Sequence, residues 1–291
     1  MVYSPPMPRI DSITHGESRV RVLRLVRRGD RHDPHDLCVS LRFEGDFAAA
    51  FTDGRSAGVV PGEAIKNLIH ACARQHRIDE IEPFGLDLCQ RVLEAHRQIT
   101  RVRAEISEQP WSRVEVGGKA QGQAFVLGGP EQRGAAITSN GTQVAVVSSI
   151  ENLTLMRSAG FIPRQTKASP DAPGDDGLPP LVVGTLSVRW TYSSPDVTFA
   201  AYRQSVRSAV LETMALHASR SVQYTLYAIG DVLLASYPEI SVVTLTMHER
   251  PYRAADLFHA HVENPNELFV AIEEPLGIVE VTLEREAERH E

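Results

Sequence analysis

Several features that mark common classes of protein are scarce in this sequence of 291 residues. It has only three cysteines, an odd number without a C-x-x-C pair, so it indicates neither a disulfide framework nor a zinc knuckle. No apolar run reaches the roughly 18 residues of a membrane-spanning helix, and residues 1–19 lack the apolar run of a signal peptide. We therefore expect a cytoplasmic protein that does not span a membrane.

An excess of basic residues is also missing. Lysine and arginine total 30 against 37 aspartates and glutamates, which gives a net charge of −7. This balance disfavours binding to nucleic-acid phosphates or to an anionic membrane surface. The sequence shows no Ser-His-Asp order, glycine-rich phosphate loop or nucleotide fingerprint. A small molecule or another protein is therefore the expected partner.

What the sequence does contain is an order of elements that occurs twice, which an internal duplication explains economically. In each half two strands precede two helices, and strands follow. The predicted first-half strands are 20–26, 36–43, 101–106, 112–116 and 124–127, with helices 64–76 and 84–100. The predicted second-half strands are 142–150, 182–192, 240–247 and 279–285, with helices 199–218 and 221–237. We expect domains at 1–135 and 136–291, with a loop insertion at about 165–180 that forms either a lid or a plain surface loop.

Short motifs in both halves resemble those of urate oxidases. The resemblance extends from residue 15 to residue 285 and includes the strand-to-helix corner Val60-Pro61-Gly62-Glu63-Ala64-Ile65-Lys66-Asn67. The other motifs include Trp111-Ser112-Arg113, Leu153-Thr154-Leu155-Met156, Gly160-Phe161, Ser221-Val222-Gln223 and Pro275-Leu276-Gly277-Ile278. The resemblance implies an α+β tandem T-fold, in which two antiparallel ββααββ halves form an oligomeric β-barrel with helices outside. It also implies a homotetramer with sites at subunit interfaces, and chemistry without a metal or organic cofactor.

The resemblance implies that the residues gripping a flat ring are kept. The family's stacking phenylalanine matches Phe161, and its valine–glutamine pair matches Val222 and Gln223. We therefore expect these three residues to bind a planar substrate. The alternatives are that Phe161 is a core aromatic residue and that Gln223 is an ordinary polar residue behind a Ser221 cap.

The family's lysine–threonine–histidine proton relay is not kept. Glu17 occupies the lysine position, Gly62 the threonine position and Pro251 the histidine position. Glu249 replaces an asparagine near the family's oxygen site, and Glu63 keeps the acidic neighbour of the lost threonine. The reaction must therefore use other groups.

These substitutions predict a pocket that is more negative by about four charges. The family's substrate arginine aligns at about Pro180, so the pocket loses a lysine and an arginine and gains Glu17 and Glu249. One like-charge pair about 4 Å apart costs about 4 kcal/mol at an effective dielectric near 20, more than one hydrogen bond returns. We therefore expect poor oxidation of urate, which is an anion. A neutral or cationic ring with N–H donors, such as an amino-purine or pterin, suits carboxylate acceptors better.

Crowded carboxylates raise one another's proton affinity, so a partly buried one can act as general base or acid. We predict that Glu17 or Glu63, with Glu249 beside them, replaces the relay in a cofactor-independent oxidation of a purine-like ring by O2. One alternative is a hydrolase or isomerase acting on such a ring, and another is a non-catalytic binding homologue. The glutamates could also face solvent, or pair with Arg19 or Arg250.

Two histidine clusters have spacings that metal sites use. His32 and His35 lie in a predicted polar hairpin turn at 28–36, and His259 and His261 are predicted on one face of a strand. Neither cluster has an evident third and fourth ligand. We expect no metal site.

Overall fold

The computed structural model describes residues 9–56, 58–76, 78–158, 181–274 and 276–286. The chain divides into two compact units. The first comprises Met1–Leu127 with Gly134–Val146, and the second comprises Gly128–Arg133 with Val147–Glu291. No helix among the described residues is both long and apolar enough to cross a membrane.

The first half of the chain builds a four-stranded arrangement with helices on one face. Its elements are β1 (Thr14–Arg28), β2 (Arg31–Gly45), α1 (Ala48–Thr52), α2 (Gly62–Gln75), α3 (Ile81–Ala95), β3 (Ile99–Gln109), β4 (Trp111–Val116), β5 (Lys119–Leu127) and β6 (Gln132–Ser139). The strand order is β1-β2-β3-β6, while β4 and β5 form a separate hairpin.

The second half has the same plan. Its elements are β7 (Val144–Arg157), β8 (Val182–Tyr192), α4 (Phe199–Leu216), α5 (Val222–Ser236), β9 (Ile240–Glu249), β10 (Tyr252–Ala254), the 3-10 helix Phe258–Ala260, β11 (Phe269–Ala271) and β12 (Ile278–Glu284). The strand order is β7-β8-β9-β12, and β10 pairs with β11. The predicted α+β architecture with ββααββ halves is confirmed.

Alternating apolar residues place the core between each set of strands and its helices. In β2, Leu37, Val39, Leu41 and Phe43 are buried, because every second side chain of a strand points to the same face. The helices contribute residues at spacings of three and four, such as Ile65, Ile69 and Cys72 of α2 and Leu226, Ile229 and Leu233 of α5. The opposite sheet faces are polar and carry ion pairs such as Arg101–Glu44 and Arg189–Glu151.

Two structural details recur in both halves and support the duplication. Strand β1 has a bulge with Arg19 at φ 60, and β7 has a bulge with Asn152 at φ 59. Five residues after each bulge an arginine donates to carbonyls at the end of a helix. Arg24 binds the carbonyls of Ala73 and His76 at the end of α2. Arg157 binds those of Met214 and His217 at the end of α4.

The predicted hairpin is present, but its turn is much shorter than the predicted 28–36. Strands β1 and β2 are joined by a tight turn that includes Gly29 at φ 60, a conformation that glycine adopts without steric cost. His32 therefore pairs with Arg27, and His35 with Arg24, inside the strand ladder. The polar composition of this segment reflects its contacts: Arg113 of β4 donates to the Asp33 carboxylate, which holds the β4–β5 hairpin against β2.

The structure differs from the predictions at three other places. The predicted strands 112–116 and 124–127 are present as β4 and β5, but they form a separate hairpin. The fourth strand of the first half is β6, which was not predicted because its small residues give a weak strand signal. The helix predicted at 84–100 runs from Ile81 to Ala95, since a proline is tolerated in the first turn of a helix. His259 lies in a 3-10 helix and His261 follows it with φ 54, so the two histidines do not share a strand face.

Candidate functional site

The first group of predicted residues lies where β1 faces the start of α2. Pro61 precedes the helix with extended backbone angles, and Gly62 is the first helical residue. On β1, Glu17 pairs with Leu41, so its side chain lies on the sheet face that carries the helices. Gly16 faces the backbone of β2, where any Cβ would collide with the carbonyl oxygen of Leu41.

The structure brings together Glu17 and Gly62, which are predicted to occupy the family's lysine and threonine positions. The Glu17 carboxylate lies directly over Gly62: a Cβ built there would collide with Oε1 and lie 3.0 Å from Cδ. The carboxylate thus occupies the space that a side chain at position 62 would need. Glu17 is half-buried, and its carboxylate makes no hydrogen bond or ion pair among the described residues, including Arg19. It remains available as an acceptor.

The residue that matches Glu17 in the second half is of a different kind. Its β1 bulge lies between Glu17 and Val20, and the matching β7 bulge lies between Ile150 and Leu153. Ile150 therefore occupies the equivalent place, and it is buried. The second half therefore has a buried apolar residue where the first half has a half-buried carboxylate.

His15 is a residue of this site whose contact the sequence reasoning missed. Its Nε2 lies 2.7 Å from the carbonyl oxygen of Val60, and its ring meets Phe47 edge-on at 6.1 Å. The histidine therefore ties β1 to the corner that precedes Gly62. The only sequence signal was the position of His15 two residues before Glu17, which puts both side chains on one face of a strand.

The Glu63 side chain does not join the Glu17 carboxylate over Gly62. Its side chain is 76% exposed and pairs with Lys66 at 3.5 Å, one turn along the exposed face of α2. Of the predicted catalytic groups in the first half, only Glu17 is half-buried and without a protein partner among the described residues.

In the second half, Val222 and Gln223 open helix α5. The Ser221 hydroxyl caps this helix by accepting a hydrogen bond from the Tyr224 N–H at 3.1 Å. The buried Ser219 hydroxyl donates a hydrogen bond to the Ser221 carbonyl, and its oxygen lies 2.6 Å from the Thr225 hydroxyl oxygen. This network gives the start of α5 a fixed geometry. Val222 is half-buried, whereas Gln223 is exposed.

Glu249 is the last residue of β9, and its carboxylate, like that of Glu17, lies close to a glycine. Its N–H donates to the Gly277 carbonyl at 2.8 Å, and a Cβ on Gly277 would lie 2.6 Å from its Oε2. The carboxylate is half-buried and makes no ion pair with Arg250 or another described residue. Pro251 follows and accepts a backbone hydrogen bond from Ile272, but it supplies no titratable group.

The predicted stacking residue, Phe161, and the aligned arginine position, Pro180, lie outside the described residues. Their roles stay predictions. Within the described ranges, no group of three or more histidine, cysteine, aspartate or glutamate side chains could hold a metal ion. Burial raises the pKa of Cys89 to about 12 and also raises the pKa of Cys72, so neither thiol is suited to act as a nucleophile.

Comparisons with known proteins identify related sequences. The uricase family model matches residues 13–138 and 181–280. The uricase of Arthrobacter globiformis is 30% identical over 279 residues, which cover 94% of this chain and 89% of that protein. The uricase of Danio rerio is 25% identical over 280 residues, with 92% of each chain covered.

Solved structures show the same fold. The crystal structure of Arthrobacter globiformis uricase superposes with a TM-score of 0.89 at 29% identity and covers 98% of both chains. A uricase from Bacillus fastidious, at 17% identity, superposes with a TM-score of 0.79 over 94% of this chain and 93% of its own. The tandem arrangement of halves, the strand-to-helix corner and these matches together establish that the chain belongs to the uricase family.

Proposed function

We propose that the chain is a cofactor-independent oxidase that acts on a planar nitrogen heterocycle other than urate and transfers protons through a glutamate. The proposal depends chiefly on one observation, the Glu17 carboxylate lying over Gly62. Membership of the uricase family supports an oxidoreductase acting on a small molecule.

Urate is a poor substrate in this proposal because the groups that would handle an anion are replaced. Glu17, Gly62 and Pro251 provide neither an ammonium group, a hydroxyl group nor an imidazole. A carboxylate beside an anionic ring adds a repulsion of about 4 kcal/mol at 4 Å and an effective dielectric near 20. That penalty exceeds what one hydrogen bond contributes.

Glu17 is our first choice for the proton-transfer group, with Glu249 second. Both carboxylates are half-buried and make no hydrogen bond or ion pair among the described residues. In the proposed oxidation the ring loses two electrons and two protons, O2 takes them up as hydrogen peroxide, and the carboxylate carries one ring N–H proton. Glu63 is the weakest choice, because it is exposed and paired with Lys66.

The ring itself would rest against the start of α5. We propose that Gln223 hydrogen-bonds its edge and that the half-buried Val222 contacts its face, with Phe161 stacking on it as in the family pattern. The capped and hydrogen-bonded start of α5 supports this role, since a fixed helix end holds such contacts in place.

We also propose a homotetramer with sites at subunit interfaces. Among the described residues, β1 pairs only with β2, and β12 pairs only with β9, so each leaves an unpaired edge. Unpaired edges are commonly covered by another chain. Strand β1 is rich in arginine and β12 contains glutamates, and each exposes an apolar side chain, Leu23 and Ile278.

Three free cysteines support a cytoplasmic location.

The test is oxygen uptake and peroxide formation with urate and a panel of amino-purines and pterins, using the wild type, Glu17→Gln, Glu249→Gln and Glu63→Gln. We expect slow turnover of urate, faster turnover of another ring, loss of turnover in Glu17→Gln and little change in Glu63→Gln. Urate turnover comparable to that of the Arthrobacter globiformis uricase would refute the proposal. Product without oxygen uptake would favour a hydrolase or isomerase, and binding without product a non-catalytic homologue.

A further inference from the structure

Building on the proposed function, we propose that Glu17 is a specificity-determining residue that accepts two adjacent N–H groups of the substrate ring. The ligand class is a heterocycle with an amidine-type edge, in which a ring N–H stands next to an exocyclic amino group. Rings that carry an oxo group in place of that amino group are discriminated against.

The first support is that the backbone leaves room for the carboxylate beside α2. Glu17 pairs with the buried Leu41 and so faces the helices, and Gly62 provides the space into which the carboxylate fits. His15 holds the corner before Gly62 through its 2.7 Å contact with the Val60 carbonyl. A group held in this way recognises a ligand with less loss of conformational freedom than a free surface side chain.

The second support is that this carboxylate has no protein partner among the described residues. The matching position in the second half is the buried Ile150, so the first half places an acceptor where the second half has an apolar side chain. A ligand with N–H groups can donate to this acceptor. Glu17 therefore differs from Glu63, whose partner is Lys66.

The chemistry of a carboxylate selects the ring edge. An ionised carboxylate only accepts hydrogen bonds, and its two oxygens match two parallel N–H donors. An amidine edge offers such a pair. A ring with an oxo group at that position places a carbonyl oxygen against a carboxylate oxygen, which leaves both without a donor and adds repulsion.

Two bicyclic rings of the same shape test this proposal: pterin, with a 2-amino group, and lumazine, with a 2-oxo group. Their dissociation constants are measured by calorimetry with the wild-type protein, Glu17→Gln and Glu63→Gln. The glutamine amide places one donor where the carboxylate has an acceptor, so it cannot receive both ring N–H groups. Gly62→Ala is a second variant, because its methyl group displaces the carboxylate without changing its charge.

We expect the wild type to bind pterin about tenfold or more tightly than lumazine, as for a charge-assisted hydrogen-bond pair. Glu17→Gln and Gly62→Ala should lose most of that preference, while Glu63→Gln keeps it. Equal binding of the two rings by the wild type, or an unchanged preference in a folded Glu17→Gln protein, would overturn the inference. If the wild type oxidises 2-oxo rings as well as 2-amino rings, the inference fails while the proposed function stands. If no ring binds or reacts, both fail.

Discussion

The Nε2 atom of His15 and the carbonyl oxygen of Val60 lie 2.7 Å apart, although 45 residues separate them in the chain. Because a carbonyl only accepts, the proton of this hydrogen bond is on Nε2. We predict that His15→Phe, which keeps a ring against Phe47 but lacks the donor, lowers the free energy of unfolding by about 1–3 kcal/mol. Urea unfolding measures this, and His15→Gln, which can restore a donor, should recover part of the loss. The same loss in His70→Phe, a change at an exposed histidine of α2, would contradict this role.

Glu17 and Gly62 should show energetic coupling. In a Glu17→Ala background, Gly62→Ala meets no carboxylate and should stabilise the protein by about 0.5–1 kcal/mol, because alanine is the better helix former. In the wild-type background the same change displaces the carboxylate and should be neutral or destabilising. A double-mutant cycle by urea unfolding measures the coupling, expected to be about 0.5 kcal/mol or more. Equal effects in the two backgrounds would show that the residues do not interact.

Arg157 and Arg24 form a matched pair for separating stability from ligand binding. Each donates to carbonyls at the end of a helix, so Arg→Met at either position should lower the free energy of unfolding by about 1–3 kcal/mol. Arg157 anchors the end of α4, and the segment 217–221 leads directly to Val222. We therefore expect Arg157→Met to weaken heterocycle binding as well, whereas Arg24→Met leaves it unchanged. Binding lost equally in both variants would contradict this assignment.

Tyr202 and Glu239 predict a pH-dependent contribution to stability. The Tyr202 hydroxyl donates to the Glu239 carboxylate, and this bond lowers the pKa of Glu239 below its ordinary value near 4.5. A carboxylate whose pKa is lower in the folded protein than in the unfolded chain stabilises the fold at pH values above its unfolded-state pKa. This stabilisation is lost as the pH falls through its folded-state pKa. Tyr202→Phe should therefore destabilise the protein at pH 6 but have less effect below about pH 4. Thermal unfolding across this range measures the change.

The same pair predicts an alkaline effect of defined sign. Burial, and then the bond to Glu239, raises the pKa of Tyr202 to about 12. Between its ordinary value near 10 and this raised value, the unfolded chain ionises first, so stability falls as the pH rises. Tyr202→Phe should show a smaller fall. The exposed Tyr227 serves as control, and an equal change in Tyr227→Phe would contradict the assignment.

Much of the fold could be predicted from regular patterns. The alternation in Leu37, Val39 and Leu41 and the helical spacing of Ile65, Ile69 and Cys72 follow directly from which faces are buried. Strand β6 could not be found this way, because Ala135 and Ile137 alternate with small residues and give little periodic contrast. The His259 segment was misjudged because short 3-10 turns leave no periodic signal.

The site was predictable only in part. Family resemblance, not local pattern, pointed to Glu17 and Gly62, since 45 residues separate them and only tertiary packing brings them together. Nothing in the sequence distinguished the exposed, paired Glu63 from the half-buried Glu17, because their burial depends on how β1 packs against α2. The hydrogen bond of His15 likewise joins a side chain to a backbone carbonyl. Every residue has a backbone carbonyl, so the residue type at position 60 did not indicate this bond.

A crystal structure of the protein with bound pterin tests the central claim most directly. We expect both carboxylate oxygens of Glu17 to lie about 2.7–3.2 Å from the ring N–H and amino nitrogens, with the carboxylate still over Gly62. A ring bound elsewhere, or a Glu17 side chain turned away from a ring held by other residues, would contradict the account.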